Sequence, residues 1–140
     1  MKKLNCILLI DDNPPTNFFN KRLINKLGLA EEVFAVENGK LGLEFLTNQG
    51  DFVSNGKKYP KPALILLDIN MPVMDGWEFL EAYHQLSPEQ KGEILIVMLS
   101  TSPNPDDLQK ASSISELSGF RQKPLTQEML VDIFDTYFPE

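Results

Sequence analysis

The sequence predicts an α/β fold in which helices cover both faces of a parallel β-sheet. Three short apolar runs, CILLI (6–10), ALILL (63–67) and ILIVML (94–99), are continuous and do not alternate with polar residues. Continuous runs of this length are typical of strands that are buried on both faces. Segments with helical spacing lie between them, and such an alternation indicates a three-layer domain with right-handed crossovers.

The first half of the chain contains two predicted strand–helix units. The run at 6–10 precedes a helix over residues 14–27, in which large apolar residues recur every four positions and Gly28 marks the end. VFAV (33–36) is a weaker second strand. Residues 40–47 follow it with the apolar spacing of a second helix.

The second half contains three more units. ALILL is followed by a predicted helix over 76–86, and ILIVML by a helix that uses Asn104 as N-cap and Pro105 as its first residue. GFRQ (119–122) predicts the fifth strand, and apolar residues on one side of 126–138 predict the last helix. The expected order is therefore strand–helix, repeated five times.

Composition limits the class of protein. The 140 residues suit one domain, and a net charge of −7 with a pI near 4.7 argues against a nucleic-acid-binding surface. The single cysteine, Cys6, excludes an internal disulfide and a cysteine zinc site, and its apolar neighbours predict a buried thiol. The aspartates at 11–12 interrupt the first apolar run, and no run reaches the roughly 18 residues of a membrane span. We expect a cytoplasmic protein.

One long loop is predicted before the third strand. Residues 48–62 are rich in Gly, Asn, Lys and Pro, which favour turns and exposed connections. Two interpretations remain open, a tolerated insertion and a loop that contacts a partner.

Polar residues follow four of the predicted strands. Asp11 and Asp12 come after the first, Asp68 after the third, Ser100 after the fourth and Lys123 after the fifth. Taken singly, each has an ordinary explanation, as a helix cap, a turn residue or a surface charge. Ligands of open α/β sheets bind at the carboxyl ends of the strands, where all five residues are expected to meet.

Three neighbouring carboxylates call for a cation. Two unit charges at a separation of about 4 Å repel by about 4 kcal/mol at an effective dielectric constant near 20. Oxygen ligands favour Mg²⁺, which binds one or two carboxylates and keeps several waters. With Ser100 and Lys123 beside it, the site has the chemistry to accept a phosphoryl group, because the metal and the ammonium neutralise its oxygens.

Four segments carry a family resemblance: LLIDDN (8–13), LILLDINMPVMDGWEFL (64–80), IVMLSTS (96–102) and GFRQKPL (119–125). With these segments, the chain resembles the receiver domain of two-component response regulators, in particular the single-domain, chemotaxis-regulator-like kind. The resemblance implies a bacterial signalling protein with a flavodoxin-like, doubly wound five-stranded parallel sheet in the order 2-1-3-4-5. It implies one receiver domain over residues 1–140, with no output domain.

The resemblance also implies roles at the site. Asp68 matches the aspartate that is phosphorylated by a histidine kinase or a phosphotransfer protein. Asp11, Asp12, Asp68 and the backbone carbonyl of Asn70 match the ligands of Mg²⁺, for which Mn²⁺ is an alternative. In this interpretation Asp12 binds the metal directly and Asp11 binds it through water.

The remaining motif residues match the part of the family that responds to phosphorylation. Ser100 corresponds to the switch hydroxyl, Lys123 to the site lysine and Phe120 to the switch aromatic residue. The Lys123–Pro124 bond corresponds to one that is typically cis. Thr101 departs from the family, which most often has Ala or Gly there, and is expected to restrict either the movement of the loop over 100–104 or the packing of Phe120.

The implied function is signalling through protein contacts. Phosphorylation would draw Ser100 inward and turn Phe120, changing the surface of the fourth predicted helix, the fifth strand and the fifth helix, which contacts a downstream target protein. Asn70 and Ser102 would tune the lifetime of the phosphoryl group. Neither nucleic acid nor membrane is an expected partner, and the chain is not expected to be a conventional turnover enzyme.

Two other functions remain open. A Mg²⁺-dependent phosphohydrolase with an aspartyl-phosphate intermediate usually has a second acid two residues after the first, where this chain has Asn70. A flavin or nucleotide carrier of the same fold class is the other, although no glycine-rich phosphate motif occurs. The only histidine, His84, is interpreted as a surface residue.

Overall fold

The strand–helix alternation is confirmed in a computed structural model, which describes residues 2–49 and 59–139. The strands are β1 (Leu4–Ile10), β2 (Ala30–Val36), β3 (Leu64–Asp68), β4 (Leu95–Ser100) and β5 (Leu117–Gln122). The helices are α1 (Pro14–Leu27), α2 (Gly39–Thr47), α3 (Gly76–His84), α4 (Pro88–Lys91), α5 (Pro105–Ser112) and α6 (Gln127–Tyr137). All strands are parallel and lie in the order β2-β1-β3-β4-β5, as expected.

The five predicted strand–helix units are present, and the structure adds one further helix that was not predicted. The four-residue helix α4 lies between α3 and β4 and begins with a capping box formed by Ser87 and Gln90. Helix α3 consequently ends at His84, two residues before the predicted end at 86. One helical turn is too short to show an apolar period, so only its cap was visible in the sequence.

Two apolar cores lie on the two faces of the sheet. Successive residues of a strand point to opposite faces, so Leu8 packs with Phe79 on one face while Leu9 packs with Phe134 on the other. All four side chains are at most 2% exposed. The predicted burial of Cys6 is confirmed, and this burial raises the pKa of its thiol to about 12.

The helix ends at Gly28 and Asn104 follow the predicted signals, whereas the cap of α1 is a residue that was not predicted as one. Gly28 ends α1 in the left-handed conformation (φ 66°), and Asn104 caps α5 by accepting a hydrogen bond from the backbone N–H of Asp107. The cap of α1 is Asn13, whose side chain accepts from the backbone of Thr16. The site aspartates at 11 and 12 are therefore not needed as caps.

The predicted loop over 48–62 lies mostly outside the described residues, since 50–58 are not described. Its two ends are close together, because Asn48 Oδ1 accepts a hydrogen bond of 3.2 Å from the backbone N–H of Tyr59. The Tyr59 ring packs against Phe34 and Phe45 at the β2 edge. Among the described residues, no helix is long and apolar enough to cross a membrane.

Candidate functional site

The carboxyl ends of four strands open into one cavity of about 620 Å³. The structure brings together the five polar residues that the sequence placed after these strands: Asp11, Asp12, Asp68, Ser100 and Lys123. Asp68 and Ser100 are the last residues of β3 and β4, while the others follow directly in the loops after β1 and β5. The parallel register of the sheet is what aligns these ends.

Lys123 connects two of the carboxylates. Its Nζ lies 2.7 Å from Oδ2 of Asp11 and 3.1 Å from Oδ1 of Asp68. Asp11 and Asp68 are only 5% and 8% exposed, so little solvent screens these ion pairs. The backbone N–H of Lys123 also donates to the carbonyl oxygen of Ser100 at 2.8 Å, and the Lys123–Pro124 peptide bond is cis. The loop after β5 is thus held against the end of β4.

The environment raises the pKa of both Asp68 and Lys123, which favours the neutral form of the acid and the charged form of the base. Burial raises the pKa of the Asp68 carboxyl, as does the nearby charge of Asp11, against the opposing influence of Lys123 and the Ile69 N–H. Burial by itself would lower the pKa of the Lys123 ammonium, but its hydrogen bonds and charge contacts with Asp11 and Asp68 outweigh burial and raise it. Lys123 is therefore a firmly charged cation beside a carboxylate that is costly to ionise.

The acidic residues fit a hard divalent cation. One carboxylate oxygen from each of Asp11, Asp12 and Asp68 can be chosen so that all three lie within 4.8 Å of one another. Asp12 is exposed, whereas the other two are buried, so water has access to one side of the cluster. An all-oxygen donor set with room for water is the environment that Mg²⁺ and Mn²⁺ prefer.

The loop after β3 is held close to the sheet. The backbone N–H of Gly76 donates to the carbonyl oxygen of Ile69 at 2.7 Å, and a Cβ atom at position 76 would lie 2.4 Å from the backbone oxygen of Asp68. Only glycine fits this approach. Asp75 then caps α3 in a reciprocal capping box with Glu78.

Of the other predicted site residues, three line the cavity and one does not. Asn70, Thr101 and Ser102 line it. Phe120 does not; it lies on β5 opposite Met98, partly buried against the core on the α3 side of the sheet. Gln122 donates weakly to the carbonyl oxygen of Thr101, at 3.5 Å.

Sequence reasoning missed several residues at or beside the site, of which Trp77, Asp107 and Asn17 are the most informative. Trp77 and Asp107 line the cavity from α3 and α5, where only the packing of those helices brings them to the strand ends. Asn17 is 6% exposed and donates to the backbone oxygen of Asp11 at 2.8 Å, which fixes α1 to the end of β1. Its position one turn after the Asn13 cap was the available signal.

Comparison with known proteins identifies the class of this site. A family model for the response regulator receiver domain matches residues 7–135. The chain belongs to the response regulator receiver family. Receiver domains act as signalling domains, interact with histidine kinases and phosphotransfer proteins, and bind a divalent metal. The flavodoxin-like fold that the resemblance implied is thereby confirmed.

One sequence relative and two solved structures illustrate the relationship. Response regulator Rcp1 from Synechocystis is 33% identical over 102 residues, which are 73% of this receiver chain and 65% of Rcp1. The crystal structure of a two-component response regulator from Cytophaga hutchinsonii superposes with a TM-score of 0.82 at 29% identity, covering 99% of this chain and 100% of that one. The crystal structure of the Mn²⁺-bound form of Rcp1 has a TM-score of 0.73 at 26% identity, covering 97% and 95%.

Proposed function

We propose that this receiver accepts a phosphoryl group on Asp68 from the phosphohistidine of a histidine kinase or a phosphotransfer protein, in a Mg²⁺-dependent reaction. The observation that carries the proposal is the contact of one partly buried ammonium, on Lys123, with the carboxylates of both Asp11 and Asp68. A cation that bridges two buried acids is suited to neutralise the oxygens of a group that is transferred to one of them.

The proposed transfer is an in-line displacement at phosphorus. A carboxylate oxygen of Asp68 forms the new P–O bond while the P–N bond to the donor imidazole breaks, and the ring nitrogen keeps that electron pair. The product is an acyl phosphate on Asp68. Lys123 and the hydroxyl of Ser100 stabilise the phosphoryl oxygens by charge-assisted hydrogen bonds.

The proposed metal ligands are Asp11, Asp12, Asp68 and the backbone carbonyl of Asn70, with Asp12 as a direct ligand and Asp11 acting through water. Bound Mg²⁺ would supply positive charge to the phosphoryl oxygens and offset the repulsion among the acids. The all-oxygen cluster and the Mn²⁺-bound form of the relative Rcp1 support this assignment.

The surface of α1 supports docking of a protein donor. Its first turn lines the cavity through Thr16, and the next turn exposes Phe18 (61%) and Phe19 (63%), whose rings contact edge to face at 5.6 Å. Two adjacent exposed phenylalanines next to a site are the apolar centre expected of an interface. Lys21 and Arg22 flank them on a chain of net charge −7, so the matching donor surface is acidic.

The output is proposed to be a population shift. Phosphorylated Asp68 draws in Ser100, and Phe120 turns into the space that Ser100 vacates, which changes the surface of α5, β5 and α6 for a downstream protein. A change from 1:99 to 99:1 needs about 5.5 kcal/mol of differential stabilisation. Charge-assisted hydrogen bonds to Ser100 and Lys123, together with the metal, supply energy on that scale. Neither nucleic acid nor membrane is part of the proposed output.

The phosphoryl group is proposed to leave by hydrolysis at the same site. Asn70 and Ser102 line the same cavity as Asp68 and are exposed, so both side chains are accessible to the water that attacks the acyl phosphate. Exchanging their side chains is expected to change the rate at which label is lost after the donor is removed.

The experiment that tests the proposal is incubation with acetyl phosphate and Mg²⁺. We expect the wild-type chain to be labelled on one residue and the Asp68→Asn variant to remain unlabelled. The phosphohydrolase alternative predicts sustained turnover of simple phosphate esters, which a stoichiometric receiver does not show. Labelling of the Asp68→Asn variant at the wild-type level would overturn the assignment.

A further inference from the structure

A second cavity, of about 470 Å³, lies between α3 and the segment that joins α5 to β5. We call it the α3–α5 groove and define it by residues 75–84 and 110–116. Its volume is within the range of about 300–1,000 Å³ that is usual for ligand sites. Trp77, Leu80 and Ile114 give it an apolar floor, and polar side chains surround them.

The rim of the α3–α5 groove is predominantly acidic. Asp75, Glu78 and Glu81 line it from α3, and Glu116 lines it from the opposite side. Within residues 2–49 and 59–139, no basic side chain forms an ion pair with the three acids on α3. This rim therefore presents three carboxylates without an ion-pair partner in the described part of the chain, beside an apolar floor, and two of them, Asp75 and Glu78, also accept the backbone hydrogen bonds of the α3 capping box.

The fourth acid is already neutralised. Oε2 of Glu116 lies 2.5 Å from Nδ1 of His84 and 3.3 Å from Nζ of Lys91. The hydrogen bond from His84 and the contact with Lys91 lower the pKa of Glu116 to about 2. Glu116 thus serves to join α3, α4 and the start of β5, and the charge that is free to attract a ligand comes from α3.

The aromatic floor already contacts one cation of this chain. Nζ of Lys110 lies 4.7 Å from the centre of the Trp77 ring, a cation–π contact. Lys110 is exposed, so its long side chain is free to leave the ring when a better ligand arrives. A guanidinium is such a ligand, because it is planar, stacks on indole and is more weakly hydrated than an ammonium.

We propose that the α3–α5 groove binds an arginine side chain of a basic segment in a partner protein. The guanidinium replaces Lys110 on the face of Trp77 and pairs with Glu78 and Glu81, while the methylene stem packs on the partly exposed Ile114. Charge complementarity selects this occupant, since an acidic or purely apolar segment leaves the carboxylates of α3 unpaired.

The probe for the test is a capped peptide of alternating leucine and arginine. The uncharged control is the same peptide with citrulline in place of arginine. Binding is followed by amide chemical shifts on the isotopically labelled chain and by calorimetry. We expect saturable shifts in residues 75–84 and 110–116 with the arginine peptide and none with the citrulline peptide. Equal binding of both peptides, no binding, or shifts spread over the whole acidic surface would overturn the proposal.

Variants separate a specific site from general attraction to an acidic protein. Trp77→Leu and Glu81→Gln should each weaken binding by about threefold or more, whereas Glu128→Gln, an exposed acid on α6, should leave it unchanged. Lys110→Met should tighten binding because it removes the competitor. Lys26→Met removes the same charge from α1, and an equal effect of Lys26→Met and Lys110→Met would contradict the site.

Discussion

Nζ of Lys123 lies 3.1 Å from Oδ1 of Asp68, and this contact joins the loop after β5 to the last residue of β3. The two residues are 55 positions apart in the chain and meet only because parallel strands present their carboxyl ends at one edge. Asp11 shares the same ammonium from the other side, at 2.7 Å. The ammonium of Lys123 thus bridges two acids, and Asp68 is paired with a cation that it shares with Asp11.

The ionisation of Asp68 should reduce the stability of the metal-free chain. Burial and the charge of Asp11 raise the pKa of Asp68, so the folded chain binds this proton more tightly than the unfolded chain does. The resulting stability is present below the ordinary pKa of about 3.9 and is lost as the pH rises through the raised value. Asp68→Asn should therefore unfold at higher urea than wild type at pH 7 with EDTA present.

The difference between Asp68→Asn and wild type should shrink as the pH falls below the ordinary pKa, where the wild-type carboxyl is protonated. Lys123 keeps the carboxylate of Asp11 as its partner in the variant, so no cation is left unpaired. A wild-type chain that proved more stable than the variant at pH 7 without metal would contradict this account of the site.

Mg²⁺ should stabilise the chain through the acidic cluster. At about 100 times its dissociation constant, a ligand that binds only the folded state adds about 2.7 kcal/mol to the free energy of unfolding. Asp12→Asn should lose most of that gain, because it replaces one of the three carboxylates of the cluster, and the proposed direct ligand, by a neutral amide. Asp135→Asn, an exposed acid on α6, is the matched control and should keep it.

Titration of the metal has an optical readout. Trp77 is the only tryptophan in the chain and lines the same cavity, so Mg²⁺ should change its fluorescence with the same midpoint as the stability gain. An Asp12→Asn chain that responded to Mg²⁺ as wild type does would argue against the assigned ligands.

Gly76 should be intolerant of a side chain. In Gly76→Ala the new Cβ would lie 2.4 Å from the backbone oxygen of Asp68, so the loop or β3 must shift. Overpacking of this kind costs about 1–3 kcal/mol, and the shift also moves Asp68. Gly119→Ala is the matched control, since its nearest contact would be 3.4 Å, to the hydroxyl of Tyr137. Urea unfolding should show a much larger loss for position 76.

Prediction from sequence worked where the residues themselves specify the structure. The continuous apolar runs identified β1, β3 and β4, and the Asn104–Pro105 pair located the start of α5. Prediction was less accurate where pairing with a neighbouring element determines the residue at which a strand begins. β1 and β2 begin at Leu4 and Ala30, earlier than the apolar runs suggest, because those two residues pair in the parallel register.

The site residues divide in the same way, into those that a local pattern predicts and those that long-range packing brings to the site. Asp68 and Lys123 were found because each directly follows a strand run and a sheet edge collects such residues. Trp77 and Asp107 lie on helices, and only the packing of α3 and α5 against the sheet brings them to the cavity. That packing depends on long-range contacts that no local pattern records.

The exposed phenylalanines of α1 should matter for a protein donor and not for a small one. Phe18→Ser combined with Phe19→Ser should slow transfer from a phosphohistidine protein by about tenfold, which corresponds to about 1.4 kcal/mol of lost apolar contact. The rate with acetyl phosphate should not change, because the site itself is intact. Leu108→Ser, at an exposed apolar residue on α5, is the control for a general loss of surface hydrophobicity.

The central claim is that Asp68 carries the phosphoryl group. After reaction with acetyl phosphate and Mg²⁺, reduction by borohydride converts an aspartyl phosphate to homoserine, and peptide mass spectrometry then locates the converted residue. The account predicts conversion at Asp68 alone and no conversion when Mg²⁺ is chelated. Conversion at Asp11 or Asp12, or a label that resists borohydride and lies on Ser100, would contradict it.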